Sequence, residues 1–425
     1  MVFFNSLWLY GSFALLIYGM AFRQPAITAL ATLLLLTAGV SWLWNRFALR
    51  SVAYTRRLGA TRIFRDETVT LRLELINRKL LPLAWIEVED EFPDRLEAVD
   101  RRATPATNPA VSILPYLTSL RPYERVAWTS TLRCPHRGVF TVGPTTLRSG
   151  DIFGFHRCEA QIARRDTIIV YPRVVPLPEL GIPPRGAFGD TRTRHALFLD
   201  PQRTVGTRAY RAEDSFRHIH WKATARVGDL QVRVFEPTTV TQIGIFLDLD
   251  TPGQSWRALD SVDFEPIVSV GASLAAYSIE IGRAVGVYSN RLIGGSNRPL
   301  RVPPASGVAQ LAKLLESLAK LSPFATTEFA RHLRAETLNF PWGSTLIVVT
   351  SAMGPALAAT LEALRGAGHR LVLVATAPLT PPPVRGLTTH HLPPAIAERE
   401  RRAAQPTAHP SEVAAPESAA SQAMG

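Results

Sequence analysis

The sequence is poor in cysteine and lacks the short motifs that mark the common hydrolases and nucleotide-binding enzymes. Its 425 residues include two cysteines, too few for a disulfide-built secreted module or a multi-cysteine zinc fold. A Gly-x-x-x-x-Gly-Lys phosphate loop, a Gly-x-Ser-x-Gly nucleophile elbow and a His-Glu-x-x-His zinc motif are all missing from it. An enzyme of this sequence would therefore need a site of another kind.

Lysine is also scarce, since only four of the 47 basic residues are lysines. The net charge is +12, but the arginines are spread along the chain and form no clustered nucleic-acid motif, so nucleic acid is not an expected partner. With 46% apolar and 19% charged residues the chain can bury packed cores. A mean hydropathy of +0.07 is high for a soluble protein and indicates a membrane segment.

Two uncharged runs fill the first 45 residues, Val2–Phe22 and Pro25–Trp44, separated by Arg23-Gln24. Each run approaches the ~20 apolar residues that cross a bilayer as a helix. The sequence therefore predicts a transmembrane helical hairpin over 1–45. A cleaved signal peptide is the alternative, which the missing basic n-region and the second run disfavour.

Positive charge follows the second run. No acidic residue occurs between Trp44 and Asp66, and the arginines of this stretch include Arg46, Arg50, Arg56, Arg57 and Arg62. Because such flanks are retained on the cytoplasmic side, we expect a multi-pass protein of the inner cell membrane with most of its chain in the cytoplasm.

Residues 46–175 are expected to form a cytoplasmic β-sandwich-like domain. Polar and apolar residues alternate over Thr68–Leu75, Ala84–Glu89 and Val126–Leu132, the period of half-buried strands. In a reducing compartment Cys134 and Cys158 are expected to stay unpaired, although a disulfide between them remains the alternative.

Four more segments follow. Residues 176–200 are rich in proline and glycine and indicate a linker, 201–239 are dense in arginine and aromatic residues, and 381–425 read as a disordered tail. Between them, over 240–380, buried strands alternate with amphipathic helices, which predicts a doubly wound α/β domain. Ligands of such folds lie at the carboxyl ends of the strands, here at Asp248, Asp250, Thr251, Thr350 and Ser351.

The string TRAYRAEDSFRHIHWKATARVGDLQVRVFE resembles the signature of the bacterial family called domain of unknown function 58. The positions that match are Arg208, Tyr210, Asp214, Arg217, Ile219, Trp221, Lys222, Arg226, Leu230, Val232, Phe235 and Glu236. Upstream, Arg137-Gly138, Gly143-Pro144, Asp151, Phe153-Gly154 and Tyr171-Pro172 also resemble the family. The resemblance implies two N-terminal spans, a β-domain and a von Willebrand factor A-like domain.

The resemblance also implies a place for a metal-ion-dependent adhesion site, whose pattern is Asp-x-Ser-x-Ser followed by a later Thr and Asp. The first Asp aligns with Asp248, but the serine positions hold Asp250 and Pro252, and the later Asp is replaced near Ser351. A degenerate site of Asp248, Asp250, Thr350 and Ser351 is expected, with weak Mg²⁺ binding at most and no other cofactor. Alternatively, the two aspartates only cap the following loop and helix.

For function, the resemblance implies a non-enzymatic, membrane-anchored scaffold whose A-like domain binds proteins. The implied partners are a MoxR-type AAA+ ATPase and other membrane or envelope proteins, in the assembly or maturation of complexes. The alternatives are a metal-dependent ligand-binding A domain, an enzyme with an unrecognised site, and an arginine-driven binder of anionic lipid or nucleic acid. The signature is further expected to form a rigid junction, with Trp221 as a buried residue.

Overall fold

The computed structural model describes residues 2–183, 199–211, 214, 216–237, 242–250, 263–325, 327–379 and 387–402. The chain divides into two compact units, the first ending at Pro172 and the second beginning at Arg173. The first contains an apolar helix pair and a β-sheet-rich region, and the second contains an α/β domain.

Helices α1 (Val2–Ala21) and α2 (Pro25–Ala48) form the pair. They pack against each other, and Pro25 opens α2 where its missing N–H costs no hydrogen bond. Helix α2 is long and apolar enough, by length and composition, to cross a membrane. Threonine hydroxyls along α2 bond to backbone carbonyls one turn earlier, Thr28 to Gln24 at 2.9 Å among them, so these polar groups are satisfied within the helix.

Twelve strands follow the helices in the first unit. They are β1 (Val52–Leu58), β2 (Arg62–Phe64), β3 (Thr68–Asn77), β4 (Leu83–Pro93), β5 (Glu97–Ala98), β6 (Thr104–Pro105), β7 (Val111–Leu120), β8 (Arg125–Arg133), β9 (Gly138–Val142), β10 (Thr145–Gly150), β11 (Arg157–Ile162) and β12 (Asp166–Tyr171). They form sheets in the orders β1-β3-β8-β5, β11-β10-β4-β7-β6 and β2-β12-β9. The three alternating segments are thus confirmed as strands.

The sheets of the first unit share one hydrophobic core. Alternate residues of β3, such as Leu71 and Leu73, meet Ile86 and Val88 of β4 in it, because side chains two apart point to the same face of a strand. Cys134 is buried in this core and Cys158 is half-buried; both thiols are free.

The second unit contains nine strands and six helices within its described residues. They are β13 (Leu199–Ala209), α3 (Trp221–Val227), β14 (Gln231–Pro237), β15 (Ile243–Leu247), α4 (Phe264–Glu280), β16 (Val285–Ile293), β17 (Pro299–Ala305), α5 (Val308–Ala319), β18 (Leu321–Ala325), α6 (Phe329–Thr337), β19 (Thr345–Thr350), α7 (Pro355–Gly366), β20 (Arg370–Ala375), β21 (Thr388–His391) and α8 (Pro394–Arg402). The central sheet has the order β17-β16-β15-β19-β20-β21, with β18 beside β16. Only β17 and β18 run antiparallel to β16 among these described strands.

Helices cover both faces of the central sheet. Phe246 and Tyr288 pack with the apolar side chains of α6 and α7 on one face. On the other face Leu247 lies against Gly271 of α4, where an added Cβ would come within 2.7 Å of the Leu247 side chain. Strands buried on both faces explain the continuous apolar runs of the sequence.

Two predicted boundaries differ from the structure. Val175, Leu177, Leu180 and Ile182 are buried, and the Val175 N–H donates to Ser273 Oγ of α4 at 2.8 Å, so residues 175–183 pack into the α/β unit; 184–198 lie outside the described residues. The predicted tail from 381 contains β21 and α8. Helix α8 buries Glu400, which accepts a hydrogen bond from Ser269 Oγ at 3.0 Å, and this long-range contact has no local sequence signal.

Candidate functional site

Two of the predicted site residues meet at the carboxyl edge of the central sheet. Strands β15 and β19 are parallel neighbours, so Asp248, directly after β15, comes beside Thr350 at the end of β19. The sheet order, numbered from β15 without the side strand β18, is 3-2-1-4-5-6, and its direction of winding reverses between these two strands. Ligands of open α/β sheets bind at such a switch point.

The Asp248 carboxyl is buried and shares a hydroxyl. Thr350 Oγ1 lies 2.8 Å from Asp248 Oδ2 and 2.6 Å from the Ala352 carbonyl oxygen. One hydroxyl proton cannot serve both oxygens, so both contacts are satisfied when Asp248 itself carries a proton. Burial raises the pKa of Asp248 to about 7, opposed by the Thr350 hydrogen bond and reinforced by the charge of Asp250. Asp248 therefore titrates near neutral pH.

Asp250 is directed to other partners. Its Oδ1 accepts a hydrogen bond from Asn290 Nδ2 at 2.8 Å, and its Oδ2 accepts the backbone N–H of Phe329 at 3.0 Å, at the start of α6. The Arg291 guanidinium lies 3.6 Å from Oδ1. Asp250 thus ties β16 and α6 to the sheet edge.

The structure describes part of the predicted set and adds two residues to it. Ser351 is half-buried beside Thr350, whereas Thr251 and Pro252 lie outside the described residues. Asn290 and Arg291 join the site, although the sequence reasoning missed them; the polar run after the apolar part of β16 is the signal that could have found them. The described residues contain no group of three or more His, Cys, Asp or Glu side chains able to hold a metal.

The signature segment folds into a hairpin with a short helix between its strands. Strands β13 and β14 pair antiparallel, and α3 begins at the N-cap His220, whose Nδ1 accepts the Ala223 N–H at 3.1 Å. Gly228, with φ of 85°, ends α3 in the left-handed conformation that glycine adopts without strain. Ile219 bridges to Val232 of β14, and both side chains are buried.

One ion pair closes the turn after β13. Arg208 Nη1 and Nη2 donate to the two oxygens of Asp214 at 2.7 and 2.5 Å, and the Arg211 N–H donates to Asp214 Oδ2 at 2.9 Å. The Arg208 hydrogen bonds and charge hold the pKa of Asp214 below its usual range. This bidentate geometry fixes the loop, while Glu213 and the side chains of Arg217, Phe235 and Glu236 lie outside the described part.

Two aromatic residues of the signature are exposed. Trp221 is 67% exposed and Phe216 72% exposed, and the Phe216 ring stacks on Tyr210 with 5.6 Å between centroids. The expectation that Trp221 is a buried residue is therefore wrong, because α3 is a short helix with no buried residue. Lys222 and Arg226 are exposed on the same helix, which gives the segment an aromatic and cationic surface.

This signature falls inside a stretch that matches a known family. Residues 206–378 match the model of the family described as protein of unknown function DUF58. The chain carries a DUF58 domain. The predicted resemblance is thereby confirmed, and the match covers both the signature string and the sheet edge of Asp248 and Thr350.

The similar proteins do not assign an activity to this chain. The chain is 23% identical over 292 residues to the uncharacterized protein YeaD of Bacillus subtilis, a match covering 68% of this chain and 67% of the relative. Among solved structures, a type II cohesin domain from the cellulosome of Acetivibrio cellulolyticus matches at 12% identity and a TM-score of 0.21 over 28% of this chain and 95% of that domain. A β-glucosidase from Listeria innocua matches at 7% and 0.18 over 28% of this chain and 16% of that enzyme. Structural similarities this weak assign neither a fold nor a function to the chain.

Proposed function

We propose that this DUF58 protein is a non-enzymatic, membrane-anchored scaffold that binds a protein partner through its signature segment. Its anchor is the α1–α2 hairpin, inserted in the inner membrane with both sheet-containing units in the cytoplasm. Large apolar side chains along both helices, including Phe13, Met20, Leu33 and Leu36, are more than half exposed, a surface that suits lipid better than water.

The proposed orientation rests on the arginines in the last turn of α2 and just after it. Arg46 and Arg50 are exposed there, and the Arg46 guanidinium lies 5.6 Å from the Trp42 ring centroid. Aromatic rings and cations in this order are typical of a cytoplasmic membrane boundary. Arg56 supplies no free charge to this flank because it is buried in an ion pair with Asp90.

The α/β domain is proposed to be von Willebrand factor A-like. Its doubly wound strand order and its Asp248 at the switch point support this. The partner-binding role is carried by one observation, the exposure of Trp221 and Phe216. Aromatic residues beside cations are the residue types that dominate binding energy at protein interfaces.

For the partner we propose an acidic protein surface, and from the family resemblance a MoxR-type AAA+ ATPase. Lys222 and Arg226 complement acidic side chains, and Trp221 supplies the apolar anchor between them. Such a scaffold would hold the ATPase at the membrane during assembly or maturation of a protein complex.

The test is binding of purified MoxR-type ATPase from the same cell to the detergent-solubilised full chain, with and without ATP. Trp221→Ala should weaken binding about tenfold or more and leave the melting temperature unchanged, since the ring is exposed. Leu338→Ala is the matched control, because Leu338 is 84% exposed in the same unit. Equal binding of both variants and wild type would contradict the proposal.

A further inference from the structure

A loop of the β-rich region exposes three large apolar side chains. Between β10 and β11, Ile152 is 58% exposed, Phe153 51% and Phe155 39%. The rings of Phe153 and Phe155 stack with centroids 6.0 Å apart. A cluster of adjacent apolar side chains on one loop is unusual on a surface that faces only water.

Hydrogen bonds hold this loop in one shape. Asp151 is buried, and its carboxylate accepts the backbone N–H groups of Phe153 at 3.1 Å, Phe155 at 3.3 Å and His156 at 2.6 Å. Gly154 takes φ of 77°, which a side chain would strain. The loop is therefore preorganised, and its apolar side chains lose little conformational entropy when they bind.

The same loop is hydrogen-bonded to helix α2. Ser41 Oγ lies 3.0 Å from His156 Nδ1, and Ser41 is fully buried beneath the loop. Burial alone would raise the pKa of Asp151, but hydrogen bonds from the His156 N–H and the Ser41 hydroxyl lower it below its usual value. The loop tip thus has a fixed position along α2.

That position lies at the edge of the apolar stretch. Ser41 precedes Trp44, where the uncharged run of α2 ends, by three residues, or about 4.5 Å along a helix axis. If α2 crosses a bilayer with Trp42 and Trp44 at the interface, the 151–156 loop lies at the depth where headgroups meet acyl chains. Aromatic and aliphatic side chains are favoured at this depth.

We propose that Ile152, Phe153 and Phe155 insert into the cytoplasmic interface of the bilayer that α2 crosses. This contact rests on the membrane anchoring proposed above and adds to it a second attachment, which fixes the tilt of the β-rich region over the membrane. Arg157 next to the loop and Arg50 after α2 are exposed and complement anionic headgroups.

The experiment uses the full chain in vesicles of phosphatidylethanolamine and phosphatidylglycerol with or without brominated acyl chains. Cys158→Ser removes the half-buried thiol, while Cys134 is fully buried and stays. Single cysteines at Phe153→Cys, Trp42→Cys and Val99→Cys carry an environment-sensitive fluorophore. The label at Val99 is the control far from the membrane. Val99 is 58% exposed, and its N–H donates to the carbonyl of Thr131, which pairs with Thr70 of β3. Thr70 lies seven residues, or about 23 Å along the strand, from Asn77 at the end of β3 near α2.

The expected result is quenching of the label at 153 by brominated lipid, close to that at 42 and several-fold above that at 99. Quenching at 42 with none at 153 would overturn the proposed insertion of the loop and leave the membrane anchor standing. The same conclusion holds if protein shields the label at 153, because the side chain then does not contact lipid. Absence of quenching at both 42 and 153 would overturn the membrane anchoring itself, and the loop proposal with it.

Discussion

Two buried aspartates, one in each unit, are stabilised in different ways. In the β-rich region Asp90 faces the fully buried Arg56, whose Nη1 lies 2.6 Å from Asp90 Oδ1. In the α/β unit Asp248 faces the hydroxyl of Thr350. Burial raises the pKa of both carboxyls, but at Asp90 the charge of Arg56 opposes the rise. At Asp248 the opposing group is mainly the Thr350 hydroxyl, and the pKa reaches about 7, which makes Asp248 the functional-site candidate.

The Arg56 network is the stronger of the two. Arg56 also bonds to Asp166 Oδ2 at 2.8 Å and to the Val142 and Arg164 carbonyl oxygens at 2.8 and 3.0 Å. Its guanidinium thereby joins β1, β4, β9 and β12, which belong to three different sheets. Gly143 is required beside it, since an added Cβ would lie 2.7 Å from Arg56 Nη2.

The largest predicted effect is therefore that of Arg56→Met, which leaves Asp90 buried without its cation. Removing one partner of a buried pair lowers the free energy of unfolding by about 3–5 kcal/mol. Adding Asp90→Asn should recover part of this loss, because the remaining group is then neutral. Chemical denaturation of the full chain in detergent measures both variants.

Arg148→Met is the matched control for that prediction. Arg148 bonds to Glu89 and Glu159 in the same region, but its side chain is 41% exposed, so its loss should cost less than about 1 kcal/mol. If Arg56→Met and Arg148→Met destabilise equally, the contrast between the two buried aspartates fails.

Asp248→Asn tests the second aspartate through the pH dependence of the free energy of unfolding. Because burial raises the pKa of Asp248 to about 7, the folded chain keeps this proton after the unfolded chain has released it. Stability contributed by the protonated group is full below the unfolded pKa and falls by about 1.4 kcal/mol per pH unit as pH rises towards 7. Asp248→Asn should abolish this fall.

The measurement is the difference in melting temperature between about pH 5 and about pH 8, compared between wild type and Asp248→Asn. Asp214→Asn is the control, because Arg208 lowers the pKa of Asp214 and its titration lies below this window. A pH dependence unchanged in Asp248→Asn would show that Asp248 is ionised throughout, as a carboxylate with a cation would be.

Local patterns explain which parts of the fold were predictable. The alternation over Thr68–Leu75 and the apolar run before Asp248 reflect burial on one or both faces of a strand, so both strands could be found from residues that are neighbours in sequence. The place of Asp248 beside Thr350 followed as well, since parallel neighbours end at the same edge.

Long-range contacts explain what was missed. In sequence Arg56 lies among the arginines that flank the membrane run, but its partners Asp90 and Asp166 lie 34 and 110 residues away. Gly181 packs near the His391 carbonyl oxygen, so neither the proline-rich stretch nor the start of the tail could be recognised as part of the α/β unit. Composition alone cannot report a partner so distant in sequence.

The smallest predicted effect is that of added Mg²⁺. It tests whether a metal cation binds beside Asp248, as Arg56 lies beside Asp90. Mg²⁺ needs near-octahedral oxygen ligands, but both Asp250 oxygens accept hydrogen bonds from Asn290 and Phe329, and Arg291 already places positive charge beside them. Titration calorimetry of the full chain with Mg²⁺ or Mn²⁺ should therefore show no binding heat, in wild type and in Asp248→Ala alike. Tight binding in wild type that Asp248→Ala abolishes would reveal a working adhesion-type site. Asp248 would then resemble Asp90 in having a cation, with a metal in the place of arginine, and a metal-dependent ligand-binding A domain would replace the proposed scaffold.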